Sequence, residues 1–377
     1  MPCAGGSRNG ATLLGGAGPL YLGCVRNEAR SLPSDRPAAR DASRPAVVAA
    51  VVATWLVLLV GIAEGVPRLF GYRTWKFADD ERTNPRLHEA EPRLGWVNEP
   101  GHYVLPPWVE GGPEVEITYL PDGSRATGAE RGGGRPRVAF VGCSVTAGYG
   151  LSDPDTFAWK IQQKHPELEV VNFGTAGYGT VQSLLRMETV LGDAPPRLVL
   201  YGFISKHEPR NVATYTWLRG LQLHSRRGHV SPPYVSLGKN GALVRHPPEA
   251  FSVWPLADRL VSVRIAGDAW MHLVTWGREA NGPEATKRLV LEMNRVARER
   301  STAFAVVFLL AEEGKKDDYA RFFEQNDVPW MDCVKPNDED YRIPGEGHPN
   351  GELNSIWAEC VSAKLPGLLG AVPRASS

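Results

Sequence analysis

The chain has 377 residues, long for one compact domain and short for three, and 42% of it is apolar with 11 tryptophans, so a large core can be built. Lys+Arg and Asp+Glu number 42 each, and such a balance gives no electrostatic footprint for nucleic acid. None of the five cysteines (Cys3, Cys24, Cys143, Cys333, Cys360) sits in a C-x-x-C pair, and no His/Cys cluster has zinc spacing, which argues against a structural metal.

Residues 1–44 are rich in Gly, Ala, Arg, Ser and Pro without periodicity, and are expected to be disordered. The run Ala46–Ala63, AVVAAVVATWLVLLVGIA, then carries no charge over 18 residues. That is the lower limit for a helix crossing ~30 Å of hydrocarbon. A buried core helix and a signal-peptide core share this composition. Glu64-Gly-Val-Pro67, however, lacks an A-x-A cleavage site, so the reading is an uncleaved transmembrane helix within residues 45–66. Arg26, Arg30, Arg36, Arg40 and Arg44 precede the span, while Arg68, Arg73 and Lys76 follow it. This bias puts the N-terminus inside and the rest on the extracytoplasmic (periplasmic) side. There, a disulfide between Cys333 and Cys360 becomes plausible.

Residues 67–135 hold many Pro and Gly and few long apolar runs. EPRLGWVNEPG (91–101) and VEITYLPDGSRATG (115–128) read as loop, then strand, then a turn at Pro121-Asp-Gly123. This lead-in segment is expected to pack on the main domain, which begins at residue 136. From Val138 the pattern turns regular. Strands are expected at Val138–Val141, Glu169–Phe173, Arg197–Ile204, Ala303–Leu310 and Trp330–Cys333. Helices are expected at Thr156–His165, Val181–Leu191, Glu284–Arg300 and Glu352–Leu365. Short continuous apolar strands alternating with helices mean a parallel sheet covered on both faces, whose ligands bind outside the carboxyl ends of the strands. Residues 212–283 break the rhythm with aromatics, two Pro-Pro pairs, His224 and His229, and read as a cap inserted over that edge.

Four stretches fall just after predicted strands or before the last helix: Gly142-Cys143-Ser144, NFGTAGYGT (172–180), YGFISKHEPRN (201–211) and PGEGHPN (344–350). Ester hydrolysis through serine needs a base, because the hydroxyl alone is a poor nucleophile. The base, usually His, needs a carboxylate to fix its tautomer and stabilise the imidazolium. The developing oxyanion needs preorganised donors. Ser144, His348 and Glu346 supply the first three groups, and a glycine-rich loop such as 172–180 can present backbone N–H groups. Cys143 reads as a small buried residue rather than a nucleophile, since its side chain points opposite to that of Ser144.

These four blocks, in this order, resemble the SGNH (GDSL-type) hydrolase family over about Val115 to Leu369, and DGSRATG resembles the lead-in of its membrane-anchored members. Pattern and resemblance together imply an α/β, flavodoxin-like three-layer α/β/α sandwich with a parallel sheet of about five strands over residues 136–370. The resemblance makes Ser144 the nucleophile and its N–H one oxyanion donor, Gly177 the second donor and His348 the base. The sequence departs from the family at Cys143, where Asp is usual, and at Glu346, which replaces Asp two residues before the histidine. It departs most where Asn-Asp is usual and Lys206-His207-Glu208 stands; His207 or Asn211 is then the candidate third donor, with Lys206 as a charge. No cofactor is implied. The resemblance implies hydrolysis or transfer of an acyl ester of a carbohydrate or lipid at the cell envelope. The rival readings are a catalytically degenerate protein that binds glycan or lipid, and an accessory subunit of polysaccharide modification or export.

Overall fold

The computed structural model describes residues 43–76, 87–192, 194–223, 231–335 and 338–370. The stretch expected to be disordered lies outside these except for Ser43 and Arg44, which already belong to a helix; His224 and His229 lie outside them too. The chain divides into units 1–59 and 60–377. The described part of the first is the beginning of α1 (Ser43–Leu69). Within that helix Arg44–Leu69 is 26 residues long and apolar, about 39 Å at 1.5 Å per residue and enough to span a bilayer.

The second unit opens with two antiparallel hairpins. β1 (His88–Glu91) pairs with β2 (Gly95–Asn98), and β3 (Gly101–Leu105) with β4 (Val115–Tyr119). The expected turn closes at Gly123, whose N–H donates to Leu120 O at 2.8 Å and whose φ is +76°. The main sheet follows. β5 (Arg137–Gly142) leads to the one-turn α2 (Ser144–Ala147) and to α3 (Phe157–Lys164). Then come β6 (Glu169–Asn172), α4 (Thr180–Val190) and β7 (Leu198–Ile204). After β7 come α5 (His207–Asn211) and then, within residues 212–283, α6 (Tyr215–Leu223), a hairpin of β8 (Tyr234–Leu237) and β9 (Leu243–His246), and α7 (Val261–Val274). The chain closes with α8 (Gly282–Glu299), β10 (Ala303–Leu310), α9 (Glu313–Gln325), β11 (Trp330–Asp332) and α10 (Gly351–Gly370).

The five main strands are all parallel, in the order β11-β10-β7-β5-β6. Every residue of LVLYGFI in β7 is buried, as are the six central residues of β10. A sheet covered on both faces demands such continuous apolar runs. α3 and α10 pack together over one face, and α4 and α8 over the other. Numbered by the sheet alone, the order is 2-1-3-4-5, the flavodoxin-like arrangement, whose switch point lies between its first and third strands. That is the gap between β5 and β7, where Gly142 and Gly202 are in register.

The helix α9 was not legible in the sequence pattern. Its EGKKDDYARFFEQ is charged along most of its length and buries only Tyr319, Ala320 and Phe323, too short an apolar stripe to register as periodicity. Cys333 and Cys360 are joined as a disulfide with Cα atoms 5.8 Å apart, tying the end of β11 to α10.

Candidate active site

Ser144 is placed by the abrupt end of β5. Gly142 closes the strand, Cys143 turns the chain with its side chain fully buried, and Ser144 is the first residue of α2. Gly148, at φ 71°, ends the helix after one turn. Ser144 therefore stands at the carboxyl edge of the sheet beside the switch point, with 7% of its surface exposed.

The segment before α10 brings the other two groups. Ile343 N–H donates to His348 O at 2.8 Å, and Asn350 Oδ1 accepts from Leu353 N–H at 3.0 Å, so His348 ends a closed loop just ahead of a capped helix. Its Nε2 lies 2.9 Å from Ser144 Oγ across 204 residues of sequence. Its Nδ1 lies 2.6 Å from Glu346 Oε1, and its backbone N–H donates to Glu346 Oε2 at 2.7 Å. The carboxylate, 9% exposed, can only accept. This network therefore assigns the ring proton to Nδ1 and leaves Nε2 free to accept from the Ser144 hydroxyl. The Tyr149 ring sits 5.2 Å from the imidazole, and Trp108 Nε1 donates to Gly150 O at 3.0 Å, walling the same corner.

The glycine-rich loop after β6 lies against α2. A side chain at Gly174 would put its Cβ 2.3 Å from Ala147 N, so only glycine permits this approach. Gly177 has φ +81°, a conformation that favours glycine. The N–H groups of Gly174, Thr175, Tyr178 and Gly179 donate to Asn172 Oδ1, Gly142 O, Thr175 O and Gln182 Oε1. Those of Ala176 and Gly177 make no hydrogen bond among the described residues. Asn172 stitches the two loops together, since its Nδ2 also donates to Thr146 O at 2.9 Å.

The lead-in segment braces both loops, which its composition did not reveal. Asn98 Nδ2 donates to Gly123 O and Gly174 O at 2.9 and 3.1 Å, and Trp96 Nε1 to Ala176 O at 2.8 Å. Arg125, the arginine of DGSRATG, is wholly buried. Its Nε lies 2.9 Å from Asp153 Oδ1, its Nη1 donates to Ala147 O and Gly148 O at 2.8 and 2.7 Å, and its Nη2 donates to Leu151 O. The guanidinium fork thus holds the turn that follows Ser144. No spacing in the sequence marks it, because its carbonyl partners leave no trace in residue type.

Of the two residues expected as a third oxyanion donor, Asn211 is committed elsewhere, while His207 is engaged through Nδ1 and its buried Nε2 has no hydrogen-bond partner among the described residues. Both amide hydrogens of Asn211 are spent, on Thr180 Oγ1 at 2.8 Å and Thr286 Oγ1 at 2.7 Å, while its Oδ1 accepts from Thr180 N–H at 2.6 Å. Asn211 caps α4 rather than facing Ser144. His207 is wholly buried, with Nδ1 2.6 Å from Tyr201 Oη, and no hydrogen bond joins it to Ser144 or His348 among the described residues. Burial first, and then the Arg210 charge, hold its pKa well below the ordinary histidine value. Lys206 is exposed. Glu208 pairs not with His207 but with Lys315 Nζ and Tyr319 Oη, each at 3.0 Å. The physical reason is local: α5 packs against α8 and α4, and that packing buries His207, Glu208 and Asn211.

A cavity of about 550 Å³ runs along the β6 edge past Arg131, Arg137, Glu169 and Arg186. None of the catalytic candidates lines it, so it is not the site. Among the described residues no group of three or more His, Cys, Asp or Glu is placed to hold a metal ion.

No protein-family model and no curated protein matches the sequence. Solved structures give a different result. Among those it resembles are an esterase, a member of the lipolytic G-D-S-L family and an SGNH-hydrolase family esterase. A psychrotrophic esterase, EstA, from Pseudoalteromonas sp. is 12% identical, with 61% of this chain and 99% of that one covered and a TM-score of 0.35. A member of the lipolytic protein G-D-S-L family from Veillonella parvula is 9% identical, with 60% and 95% covered and a TM-score of 0.35. AlinE4, an SGNH-hydrolase family esterase, is 15% identical, with 64% and 99% covered and a TM-score of 0.33.

Proposed function

We propose that this chain is a serine ester hydrolase of the SGNH type, anchored by α1 with its catalytic unit outside the cytoplasm. The observation that carries the reading is the continuous chain Ser144 Oγ–His348 Nε2–Glu346 Oε1, at 2.9 and 2.6 Å, standing at the carboxyl edge of a parallel sheet. Nucleophile, base and orienting carboxylate are each within hydrogen-bond reach of the next, which is the arrangement acyl transfer requires.

Chemistry follows from those positions. Ser144 Oγ attacks the acyl carbon as its proton passes to His348 Nε2. The carbonyl π pair moves onto oxygen, where the N–H groups of Ser144 and Gly177 donate to it; losing such a donor costs roughly 3–4 kcal/mol of barrier. Glu346 stays ionised and stabilises the imidazolium. Collapse of the adduct breaks the ester C–O bond, and the departing alkoxide takes the proton from His348. Water, deprotonated by the same nitrogen, then attacks the acyl carbon; the bond to Ser144 Oγ breaks, the acid leaves and Oγ takes its proton back from His348. A sugar hydroxyl in place of water gives O-acyl transfer by the same steps. An ester of a carbohydrate or lipid of the cell envelope suits a tethered enzyme. The disulfide supports the extracytoplasmic side, because such bonds persist in oxidising compartments.

The test compares full-length wild type with Ser144→Ala in p-nitrophenyl acetate turnover and fluorophosphonate labelling. Wild type should turn over and label while the variant does neither. Equal turnover by both refutes the assignment, and an unlabelled, inactive wild type favours a binding protein.

A further inference from the structure

The helix α7 carries its polar and apolar faces the wrong way round for water. Ala266, Ala269, Trp270 and Leu273, at helical spacing, are exposed, and Trp276 just beyond is 83% exposed. The charged residues point the other way: Arg264 pairs with Asp268 at 3.6 Å, with both side chains largely covered, and Asp268 also lies 4.0 Å from Arg219. His272 stacks on Tyr215 of α6, with ring centroids 3.6 Å apart. A helix on an aqueous surface has the opposite polarity. Trp254 lies against Gly267, where an added Cβ would come within 3.4 Å of its ring, and it extends the apolar face along with the exposed Leu256.

What α7 is bonded to identifies what covers it. Glu64 is the first charged residue after the uncharged run Ala46–Ala63. Its carboxylate accepts the first N–H groups of α7, from Val261 at 3.0 Å and Ser262 at 2.9 Å. Four residues on, Arg68 Nη2 donates to Arg259 O at 3.3 Å, and Arg73 O accepts from Arg264. The start of α7 is thus fixed to the point in the chain where the apolar run stops, and the neighbouring Leu69, Phe70 and Tyr72 are exposed as well. A span that ends at Glu64 puts this residue at a membrane–water boundary, where tryptophan is enriched and helices with one apolar face lie flat.

We propose that the outer face of α7, with Trp254 and Trp276, is seated in the headgroup–acyl boundary of the bilayer that α1 crosses. The proposal rests on the reading of α1 as a span. It also gives the site a neighbour: α6, stacked on α7 through Tyr215, carries Trp217, whose ring would lie 3.6 Å from a Cβ at Gly177. The lipid surface is thereby one helix away from the glycine loop.

Tryptophan fluorescence of the full-length protein in phosphatidylcholine vesicles tests this, with acyl chains brominated near the carbonyl end as quencher. Wild type is compared with a Trp270→Phe/Trp276→Phe variant, which keeps the face apolar. The signal of those two residues, wild type minus variant, should fall by half or more in brominated lipid. An unquenched difference overturns the proposal, whether aqueous iodide reaches the pair, which puts the face in water, or does not, which puts it against protein. Trp55, midway along the apolar run, remains in both proteins and lies deeper than these bromines; if chains brominated near the terminal methyl leave the remaining signal unquenched too, the span itself is refuted.

Discussion

Replacing Glu346 with glutamine changes one atom and leaves the histidine two bad choices. In the native loop both carboxylate oxygens accept, one from His348 Nδ1 at 2.6 Å and one from its backbone N–H at 2.7 Å. A glutamine that keeps its oxygen on Nδ1 turns its NH2 group toward the backbone N–H, donor against donor at a separation of that order. Leaving a buried donor unmatched costs about 1–3 kcal/mol. A glutamine turned the other way faces its NH2 to Nδ1, which must then be bare, so the proton moves to Nε2 and the base is lost toward Ser144, 2.9 Å away. In either orientation the imidazolium formed during attack loses a charge-assisted partner, about 1.5–3 kcal/mol. The unmatched donor burdens free enzyme and transition state alike and lowers stability, so the barrier rises by the lost partner alone, about 1.5–3 kcal/mol, or one to two decades in kcat at 1.36 kcal/mol per decade. The assay is steady-state p-nitrophenyl acetate hydrolysis by full-length protein, with the thermal midpoint measured alongside to show that the fold persists. Glu346→Gln activity within threefold of wild type, at an unchanged midpoint, would show that the carboxylate does not orient the base.

Three further outcomes follow from the packing. Arg125→Met strands Asp153 in a site where the paired side chains are 1% and 9% exposed, so urea unfolding should show a loss of about 3–5 kcal/mol; a loss below about 1 kcal/mol refutes the brace. Cys360→Ser opens a link spanning 27 residues and should lower stability by about 3–4 kcal/mol, with dithiothreitol reproducing the loss in wild type and adding nothing in the variant. His207 is held neutral in the fold by burial, its pKa depressed below the ordinary 6.5. Below that pH the unfolded chain binds the extra proton and the native state does not, so stability is lost as pH falls from about 7 toward 5. Wild type should therefore lose more stability over that window than His207→Phe; parallel curves count against a buried neutral histidine.

Much of the fold was legible because parallel strands buried on both faces advertise themselves. Ala303–Leu310 was read to the residue, and the other main strands to within a residue or two at each end. The pair Ser144 and His348 was legible because both stand where strands and helices meet, in glycine-rich segments whose composition marks a turn. The third donor was not, since whether the side chain of Asn211 faces the site or caps α4 depends on which way a five-residue helix rolls. Arg125, Asn98 and Trp96 were illegible for another reason: they act on backbone carbonyls, and a carbonyl looks the same in every sequence. In the lead-in segment β4 was legible, its VEITY alternating with a period of two, whereas β1 was not, because its four residues HEAE carry no apolar face and it exists only by pairing with β2.

The disulfide has a consequence for timing. Residues 334–359, which it closes into a ring, contain both Glu346 and His348. During synthesis the nucleophile, the glycine loop and their braces all emerge before that ring, and the base arrives 204 residues after Ser144. On the proposed function, a nascent chain is therefore catalytically silent until its C-terminal segment has been made. The same segment is pinned at both ends by the bond from Cys333, just after β11, to Cys360 in α10, so the base and its carboxylate are the last of the candidate groups to be fixed in place.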